Sequence, residues 1–336
     1  MSAFQRIIFE KDAMKYKMAD EILSKAKEEG IETTFLNSNR YISEKGQTKK
    51  DKYFYGKQTM IVGVRKTLKF QTCKPSAHYQ LPLVSGCIGQ CEYCYLNTQF
   101  SDRPSVYVYV NIEEILDQAA AHIQERGELT LFEGAATSDP LPSEVFTGAL
   151  KRTIEFFGQS EFGRFRFVTK YTSVDDLLQL DHKDHTEIRL SVNIPSVIKA
   201  YEHKTPSLEK RIEAINKLIG AGYSVGLIIA PVILEENWKD HYGELLSILD
   251  QVLIRKEKVI TFEIISHRFT SRAKNSILEI YENTQLPMRE EDRKFKYGQF
   301  GYGKFIYTET DMASMKAFFQ EKLGEMGIAH KILYII

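Results

Sequence analysis

The sequence predicts an α/β protein built on a partial TIM-type (β/α)6 barrel, with an N-terminal helical and loop extension and a C-terminal β-hairpin plus helix. Short runs of β-branched and aromatic residues alternate with amphipathic segments through the middle of the 336-residue chain. This alternation is typical of βαβ units and a parallel sheet. The composition, 43% hydrophobic and 27% charged, is that of a globular chain with a core.

Residues 1–76 are predicted to form an N-terminal extension packed on the barrel. Residues 12–29 have helical periodicity, and Gly30 is a plausible stop. The segment 37–57 is polar and lysine-rich, so we expect it to be irregular. The stretch 44–69 contains eight basic and two acidic residues, a net charge of +6. Such a stretch forms either a solvated face or a non-specific contact with nucleic acid.

Residues 77–268 are predicted to form the barrel. The six strand-like runs are Tyr79–Ser85, Leu129–Ala135, Arg164–Tyr171, Glu187–Asn193, Tyr223–Pro231 and Val259–Ser266. The amphipathic segments between them are Ile112–Arg126, Ser143–Phe157, Ser173–Leu180, Ser207–Ala221 and Trp238–Leu253. Functional residues of such sheets collect at the carboxyl ends of the strands, so the loops after these runs are the candidate site.

Residues 269–336 are predicted to form a C-terminal segment with a DNA-binding hairpin. A helix comes first, and then residues 293–307 carry aromatics and glycines at hairpin spacing, with four basic residues and no acidic one. A last helix over 312–326 and a short strand over 331–336 complete this segment.

Charge, hydropathy and cysteine content exclude several classes of protein. The 45 basic and 45 acidic residues balance, which excludes a generally basic nucleic-acid binder but not a local basic patch. The longest apolar run, Val225–Leu234, is too short for a membrane span and contains Pro231. No apolar stretch typical of a signal peptide begins the chain. Four clustered cysteines do not make a disulfide scaffold. We therefore expect a cytoplasmic protein with no membrane partner.

Three of the cysteines form the motif Cys87-x3-Cys91-x2-Cys94, directly after the first predicted strand. Thiolates are soft ligands, and three this close favour one centre held by one loop. A structural zinc site usually has four protein ligands, and no fourth cysteine or histidine follows at zinc-finger spacing. Three thiolates on a four-iron cluster would leave one iron open. The spacing favours such a reactive site, with a structural metal or unliganded thiols as the alternatives.

The segment CIGQCEYCY has the cysteine spacing of the radical S-adenosylmethionine enzymes. Within that superfamily the chain resembles the spore photoproduct lyase family, in stretches such as KPSAHYQLPLVSGC, FEGAATSD, AGYSVGLIIAPV and KFKYGQFGYGKFIY. The resemblance implies a [4Fe–4S] cluster, S-adenosylmethionine, and repair of 5-thyminyl-5,6-dihydrothymine, which ultraviolet light produces in spore DNA. It also implies two partners: UV-damaged double-stranded DNA, and an electron donor such as flavodoxin or ferredoxin.

The resemblance implies a radical repair reaction. A 5′-deoxyadenosyl radical takes a hydrogen from C6 of the dihydrothymine, the bond between the two thymines breaks, and the thymine radical receives a hydrogen atom. Regeneration of S-adenosylmethionine completes the cycle. Cys87, Cys91 and Cys94 match the cluster ligands, and Tyr93 and Tyr95 match tyrosines that relay the radical. The cofactor contacts match Ser138, Asp139, Lys170, Ser191 and Asn193. Taken alone, Lys170 would be a surface lysine and each tyrosine a packing residue.

One position departs from the family. The family motif has a cysteine, the implied hydrogen donor, where residues 135–139 of this chain read AATSD with Ala136. The remaining cysteine is Cys73, where the family has serine or another small residue. Our hypothesis is that Cys73 replaces the donor, which requires a turn near Lys74–Pro75 to bring the chain back along the sheet. The alternative is an inert buried thiol, with donation by one of the two tyrosines or poor repair.

The lesion lies inside a duplex, so it must be flipped out, and phosphate anchors and a wedge are needed. The candidates lie in the C-terminal hairpin and after the sixth strand: Arg293, Lys294, Lys296, Tyr297, Gln299, Phe300, Tyr302, Lys304, His267 and Arg268. The family usually has arginine-tyrosine where this chain has Gln299-Phe300, which keeps the stacking but puts one phosphate or base contact in doubt.

Three functions are consistent with the sequence. The first is the DNA-repair lyase. The second is a radical S-adenosylmethionine enzyme of the same fold that acts on a different nucleic-acid or small-molecule substrate, with Ala136 as its mark. The third is a non-enzymatic metal-binding or nucleic-acid-binding module, which would not cleave S-adenosylmethionine.

Overall fold

The computed structural model describes residues 4–41, 45–100, 104–254, 258–297 and 303–336. Its strands are β1 (Arg6–Phe9), β2 (Glu32–Phe35), β3 (Thr59–Gly63), β4 (Thr72–Cys73), β5 (Ala77–Gln80), β6 (Val84–Ser85), β7 (Gln90–Cys91), β8 (Val106–Tyr109), β9 (Thr130–Glu133), β10 (Gly163–Thr169), β11 (Thr186–Val192), β12 (Glu202–His203), β13 (Ser224–Val232), β14 (Ile260–Ser266), β15 (Lys294–Tyr297), β16 (Gly303–Ile306) and β17 (His330–Ile335). Its helices are α1 (Lys17–Glu28), α2 (Lys49–Lys57), α3 (Leu96–Gln99), α4 (Ile112–Arg126), α5 (Leu141–Thr147), α6 (Ala149–Gln159), α7 (Pro195–Tyr201), α8 (Leu208–Gly220), α9 (Trp238–Val252), α10 (Ser271–Ile280) and α11 (Glu309–Gly324).

The chain divides into two compact units, each with its own core. The first comprises Met1–Ile88, Gln99–Thr169 and Ser173–Ile188, and the second comprises Gly89–Thr98, Lys170–Thr172 and Arg189–Ile336. Strand β11 contributes residues to both units.

The first unit contains a five-stranded sheet in the order β2-β1-β3-β8-β6. Its strands pair in parallel, except that β6 runs antiparallel to β8. Every residue of β3 is buried, so this strand lies in the core of the unit. The expectation of helix and loop alone before residue 57 missed β1 and β2. Each has only four residues, too few for strand alternation to be recognised in the sequence.

Helix α2 shows that the expected irregular structure over 37–57 is wrong in its second half. The helix begins with a capping box, in which the Thr48 hydroxyl accepts from the Asp51 backbone N–H and the Asp51 carboxylate accepts from Thr48. Such a box satisfies two backbone N–H groups that the first turn leaves unpaired. Tyr53 and Lys57, four residues apart, are buried on one face of the helix. The many lysines of this segment conceal that periodicity.

The first unit also contains the strands β4, β5, β9 and β10, in that order, followed by the start of β11. The pairs β5–β9 and β9–β10 are parallel, and β4 is antiparallel to β5. Phe157 of α6 stacks on Phe165 of β10 with ring centroids 5.5 Å apart. The first predicted strand, 79–85, is in fact divided between β5 and β6, which belong to different sheets. Pro82 lies in the break, where its missing N–H cannot continue a ladder.

Two predicted helices of the first unit differ from the observed ones. The segment 143–157 forms α5 and α6, separated at Gly148, whose φ of +57° is left-handed and favours glycine. The buried Glu144 carboxylate accepts from the N–H groups of Leu150 (2.7 Å) and Lys151 (2.9 Å), which satisfies the start of α6. The segment 173–180 forms only a 3₁₀ turn over Asp175–Leu177.

The second unit contains the strands β17, β14 and β13, in that order, followed by the end of β11. Strands β13, β14 and β17 run parallel. A separate pair joins β7 to β12, and β15 and β16 form the predicted antiparallel hairpin. Helix α11 packs against α9, where Tyr242 contacts Phe319 at 5.7 Å between ring centroids. Among the described residues, none of the helices combines the length and apolar character needed to cross a membrane.

Candidate active site

Cys91 and Cys94 lie in the second unit, on a loop held by a neighbouring strand. Cys91 ends β7, which pairs antiparallel with β12, with Cys91 opposite Glu202. The Cys94 N–H donates to the Cys91 carbonyl (3.2 Å), and so does the Asn97 side chain (2.9 Å). These bonds form a tight turn that fixes the two cysteines relative to each other.

Cys87 lies in the first unit, beside the segment that follows β9. The preceding residue, Gly86, bridges to Ser138, and its N–H donates to the Thr137 carbonyl (2.9 Å). Gly86 has a φ of +84°, and a Cβ there would lie 2.7 Å from the Ser105 carbonyl oxygen. A side chain at position 86 would therefore clash with the Ser105 carbonyl, so this backbone position requires glycine. The fold places the predicted ligand Cys87 next to the predicted cofactor residue Ser138.

The donor type of the three cysteines suits an iron–sulfur cluster. In the described part of the chain, no group of three or more His, Cys, Asp or Glu side chains converges on one metal ion. A four-iron cluster does not require such convergence, because each thiolate binds its own iron. Three thiolates with no histidine or carboxylate among them are the donor set that such a cluster prefers.

Ser138 and Asp139 follow β9 and are both buried. Asp139 is held by the fold, since its carboxylate accepts from the Thr169 hydroxyl (2.7 Å) and from the Leu141 N–H (3.3 Å). The Ser138 hydroxyl has no hydrogen-bond partner among the described residues. Buried polar groups are normally paired, so this hydroxyl is suited to a ligand.

Lys170 and Tyr93 meet at Glu202 in the second unit. The Lys170 ammonium donates to Glu202 Oε1 (3.0 Å) and to the Ser191 hydroxyl (2.7 Å). The Tyr93 hydroxyl donates to the same Glu202 oxygen. On the other side, Arg211 donates to Glu202 Oε2 (2.6 Å). Three predicted site residues are thus brought together by a carboxylate that the sequence analysis did not select.

The Glu202 carboxylate is ionised although its side chain is fully buried. Burial by itself would raise its pKa, but the charges of Lys170 and Arg211 outweigh burial and lower the pKa to about 2. Tyr93 is affected in the opposite direction: loss of solvent and the negative charge of Glu202 raise the pKa of its hydroxyl well above the usual value. Tyr93 is therefore a neutral hydrogen-bond donor.

Asn193 and Tyr95 differ from the other predicted residues. The Asn193 amide is buried and bonded at both ends: it donates to the Pro231 carbonyl (2.8 Å) and accepts from the Tyr242 hydroxyl (3.1 Å). Tyr95, in contrast, has 58% of its surface exposed.

A cavity of about 460 Å³ opens in the first unit, with Ala136 in its lining. Its other lining residues include Gln71 and Gln80, which lie on neighbouring antiparallel segments joined by the Gln80 N–H to Gln71 carbonyl bond (2.8 Å). Cys73 lies two residues after Gln71, at the end of β4. The chain then turns over residues 74–76 into β5. This is the reversal that the Cys73 hypothesis required.

The turn after Cys73 is tied to the segment that contains Ala136. The Ser76 hydroxyl donates to Glu133 Oε2 (2.7 Å), and Glu133 Oε1 accepts from the Ala135 N–H (3.1 Å). Two hydrogen bonds across one carboxylate place the Ser76 hydroxyl within about 8 Å of the Ala135 nitrogen.

The hairpin of the second unit presents part of the predicted DNA-binding set. Tyr297 is 75% exposed, and Lys296 lies directly opposite Lys304 in the ladder. Partial burial lowers the pKa of Lys304, and the charges of Arg268 and Lys296 lower it further. Lys294 pairs with Glu309 (2.5 Å). The predictions for Gln299, Phe300 and Tyr302 lie outside the described residues.

Arg293 and His267 contact each other inside the second unit. The Arg293 guanidinium lies 3.6 Å from the centre of the Tyr307 ring and donates to the His267 carbonyl (2.9 Å). Burial, and then the charge of Arg293, lower the pKa of His267 to about 3, so its imidazole is neutral. Arg268 is also desolvated, which lowers the pKa of its guanidinium.

The chain matches the family model described as spore photoproduct lyase over residues 3–336. A spore photoproduct lyase from Clostridium acetobutylicum is 50% identical over 334 residues, 99% of each chain. The chain belongs to the spore photoproduct lyase family. A second relative of that name, from Bacillus subtilis, is 43% identical over 319 residues, 93% of this chain and 92% of the relative. The predicted family, its lyase function and its enzymatic nature are confirmed.

Solved structures of the family confirm the fold class, a mixed α/β fold with a half-barrel sheet. A spore photoproduct lyase complexed with dinucleoside spore photoproduct matches with a TM-score of 0.95 and 38% identity, and covers 99% of each chain. A second structure, with the same TM-score and identity, covers 100% of this chain and 99% of its own. It is a double variant, cysteine to alanine and serine to cysteine, with bound AdoMet and dinucleoside spore photoproduct.

Proposed function

We propose that this chain repairs 5-thyminyl-5,6-dihydrothymine in UV-damaged DNA with S-adenosylmethionine as its radical source. The observation that carries the proposal is the end-to-end match to a family whose structures hold both AdoMet and dinucleoside spore photoproduct. The relatives come from Clostridium and Bacillus species, and we infer the cytoplasm of such a cell as the site of action.

Cys87, Cys91 and Cys94 would hold the [4Fe–4S] cluster and leave one iron open. When bound, the cluster supplies one electron, received from a flavodoxin or ferredoxin, that cleaves S-adenosylmethionine to the 5′-deoxyadenosyl radical. The cofactor-binding role of Ser138, which bridges to Gly86, rests on its buried hydroxyl, which has no partner in the described part of the chain. Lys170 would place its positive charge near the cofactor carboxylate, in an orientation fixed by Glu202 and Ser191.

Cys73 is our choice of hydrogen donor in place of Ala136. The thymine radical needs a weak bond to hydrogen, which a thiol has and an alanine methyl lacks. Phe70 packs on Phe132 at 5.1 Å between centroids, whereas Gln71 lines the cavity. Side chains alternate in an extended segment, so we infer that Cys73 points to the same side as Gln71, about 7 Å further along. The AdoMet-bound double variant carries the same two exchanges of residue type.

DNA binding is assigned to Lys296, Tyr297 and Lys304 of the hairpin. Like charges directly opposite each other in a ladder repel, and a phosphate between Lys296 and Lys304 would relieve this repulsion. The exposed Tyr297 ring offers a stacking surface for a base. Arg293 and His267 would act indirectly, by supporting the start of the hairpin.

The test is repair of the spore-photoproduct dinucleotide by protein reconstituted anaerobically with iron and sulfide and then reduced. Wild-type protein is expected to release thymidylyl-thymidine. Cys73→Ala is expected to lose at least 90% of repair while still releasing 5′-deoxyadenosine. The double variant Cys73→Ala/Ala136→Cys is expected to regain repair, and Thr72→Ala is the control. Cofactor cleavage without repair by the wild type would favour the alternative, a radical enzyme for another substrate.

A further inference from the structure

Lys57 is a buried cation beside the first cluster ligand. Only 3% of the residue is exposed, whereas Lys50 and Lys52 of the same helix are exposed. Its ammonium donates to the Cys87 backbone carbonyl at 2.8 Å. It also lies 5.2 Å from the centre of the buried Tyr53 ring. The capping box at the start of α2 and the four-residue spacing from Tyr53 to Lys57 fix this orientation.

The charge of Lys57 has no carboxylate to balance it within the described residues. No acidic side chain lies within ion-pairing distance of its ammonium, and one carbonyl and one ring face provide its contacts there. Burial of an ammonium is costly unless an opposite charge is near. The carbonyl oxygen and the sulfur of one cysteine are four bonds apart, so the ammonium lies within about 8 Å of the Cys87 sulfur.

We propose that Lys57 is the counter-cation of the iron–sulfur site and makes its one-electron reduction easier. The inference rests on the cluster assignment to Cys87, Cys91 and Cys94. A cluster with three thiolates is anionic and gains a further negative charge when it accepts an electron. A fixed positive charge at this distance in a site of low polarity favours the reduced form by about tenfold or more. Lys57 is thus a positioning and electrostatic residue, with no proton transferred.

The test compares Lys57→Met with Lys52→Met on the same helix. Both proteins are reconstituted with iron and sulfide, iron per chain is measured, and the reduced cluster is titrated by electron paramagnetic resonance against a mediator series. Lys57→Met is expected to lower the ratio of reduced to oxidised cluster at least tenfold at a fixed potential. For one electron this corresponds to a midpoint shift of about 59 mV towards negative values. Lys52→Met is expected to match the wild type.

Two further variants separate charge from hydrogen bonding and keep the test decisive if Lys57→Met takes up no iron. Lys57→Arg keeps the charge and is expected to keep the wild-type midpoint. Lys57→Gln keeps a donor without the charge and is expected to shift as the methionine variant does. A wild-type midpoint in Lys57→Gln would overturn the inference.

A second readout uses protein without iron. There the cation has no opposite charge, so Lys57→Met is expected to leave the unfolding midpoint in urea unchanged or raised. With the cluster bound, the same variant is expected to lower it. A fall of equal size in both forms would mean that Lys57 is only a packing residue. If the wild type itself takes up no iron, the cluster assignment fails, and the role of Lys57 fails with it.

Discussion

The ends of β9 and β11 use their polar side chains in different ways. Ser138, after β9, has a buried hydroxyl with no partner among the described residues, whereas the Asn193 amide, after β11, is bonded at both ends. Both residues were predicted as cofactor contacts. An unpaired buried group costs free energy that a ligand can return, whereas Asn193 already makes three hydrogen bonds within the fold. We therefore expect Ser138 to contribute mainly to ligand binding and Asn193 to contribute to folding stability as well.

The largest expected effect on stability concerns Glu202, which forms ion pairs with Lys170 and Arg211. Glu202→Ala should lower the free energy of unfolding by about 3–5 kcal/mol, because Lys170 and Arg211 lose their shared counter-charge. Urea unfolding at pH 7 measures this, with the exposed Glu213→Ala on α8 as the control. Since the pKa is lowered to about 2, the wild-type advantage should be complete above pH about 4.5 and disappear as the pH falls towards 2. A loss no larger than that of the control would contradict this.

Glu144, in α5, should give a pH dependence of the opposite sign. Burial raises its pKa to about 7, against an ordinary value of 4.5. The folded state then holds its proton more tightly, so wild-type stability should fall by about 3 kcal/mol as the pH rises from 4.5 to 7. Glu144→Gln cannot ionise and should lack this fall. Urea midpoints at pH 5 and pH 8 test it, and parallel curves for the two proteins would rule the assignment out.

Asn193→Ala should cost about 2 kcal/mol, because the Pro231 carbonyl and the Tyr242 hydroxyl lose a buried partner. The exposed Asn283→Ala serves as the matched control in urea unfolding. An unchanged stability combined with weaker S-adenosylmethionine binding would reverse the comparison between the two strand ends.

Ser138→Ala should have the smallest effect on folding and a selective effect on binding. Removal of a buried hydroxyl with no described partner should leave the free energy of unfolding unchanged or raise it by about 1 kcal/mol. S-adenosylmethionine affinity, measured by equilibrium dialysis, should fall about five- to tenfold for the loss of one hydrogen bond. Ser276→Ala in α10 removes another buried hydroxyl without a described partner and should leave the affinity unchanged. Equal affinities of the two variants would count against a ligand at Ser138.

The sequence was sufficient for the fold class because the strands β10, β13 and β14 are runs of seven to nine residues between amphipathic helices. It failed where an element is short or interrupted. Strands β1 and β2 have four residues each, and Gly148 divides one apolar pattern between two helices. Periodicity shows which face of a segment is apolar but not where a left-handed residue breaks it.

The site was predictable only as far as cysteine spacing and strand ends allow. Those signals located Cys87 and Ser138, and the structure pairs Ser138 with Gly86, the residue before Cys87. Glu202 and Lys57 could not be found in this way, because charged residues are usually exposed and nothing local marks these two as buried. Their burial comes from pairing between β7 and β12 and from the orientation of α2, which are properties of the folded chain.

Gly86 has a consequence for mutational tolerance. A residue with no functional group of its own occupies a left-handed conformation, with a carbonyl 2.7 Å from where any Cβ would be. Every substitution there would press a Cβ against the Ser105 carbonyl and displace the backbone that leads into Cys87. Ala136, only two residues from the other side of the same bridge, has meanwhile lost the thiol that the family motif carries. In a saturation library, we expect position 86 to admit no replacement, because its constraint is on the backbone. Position 136 should admit several, because its constraint is on the side chain.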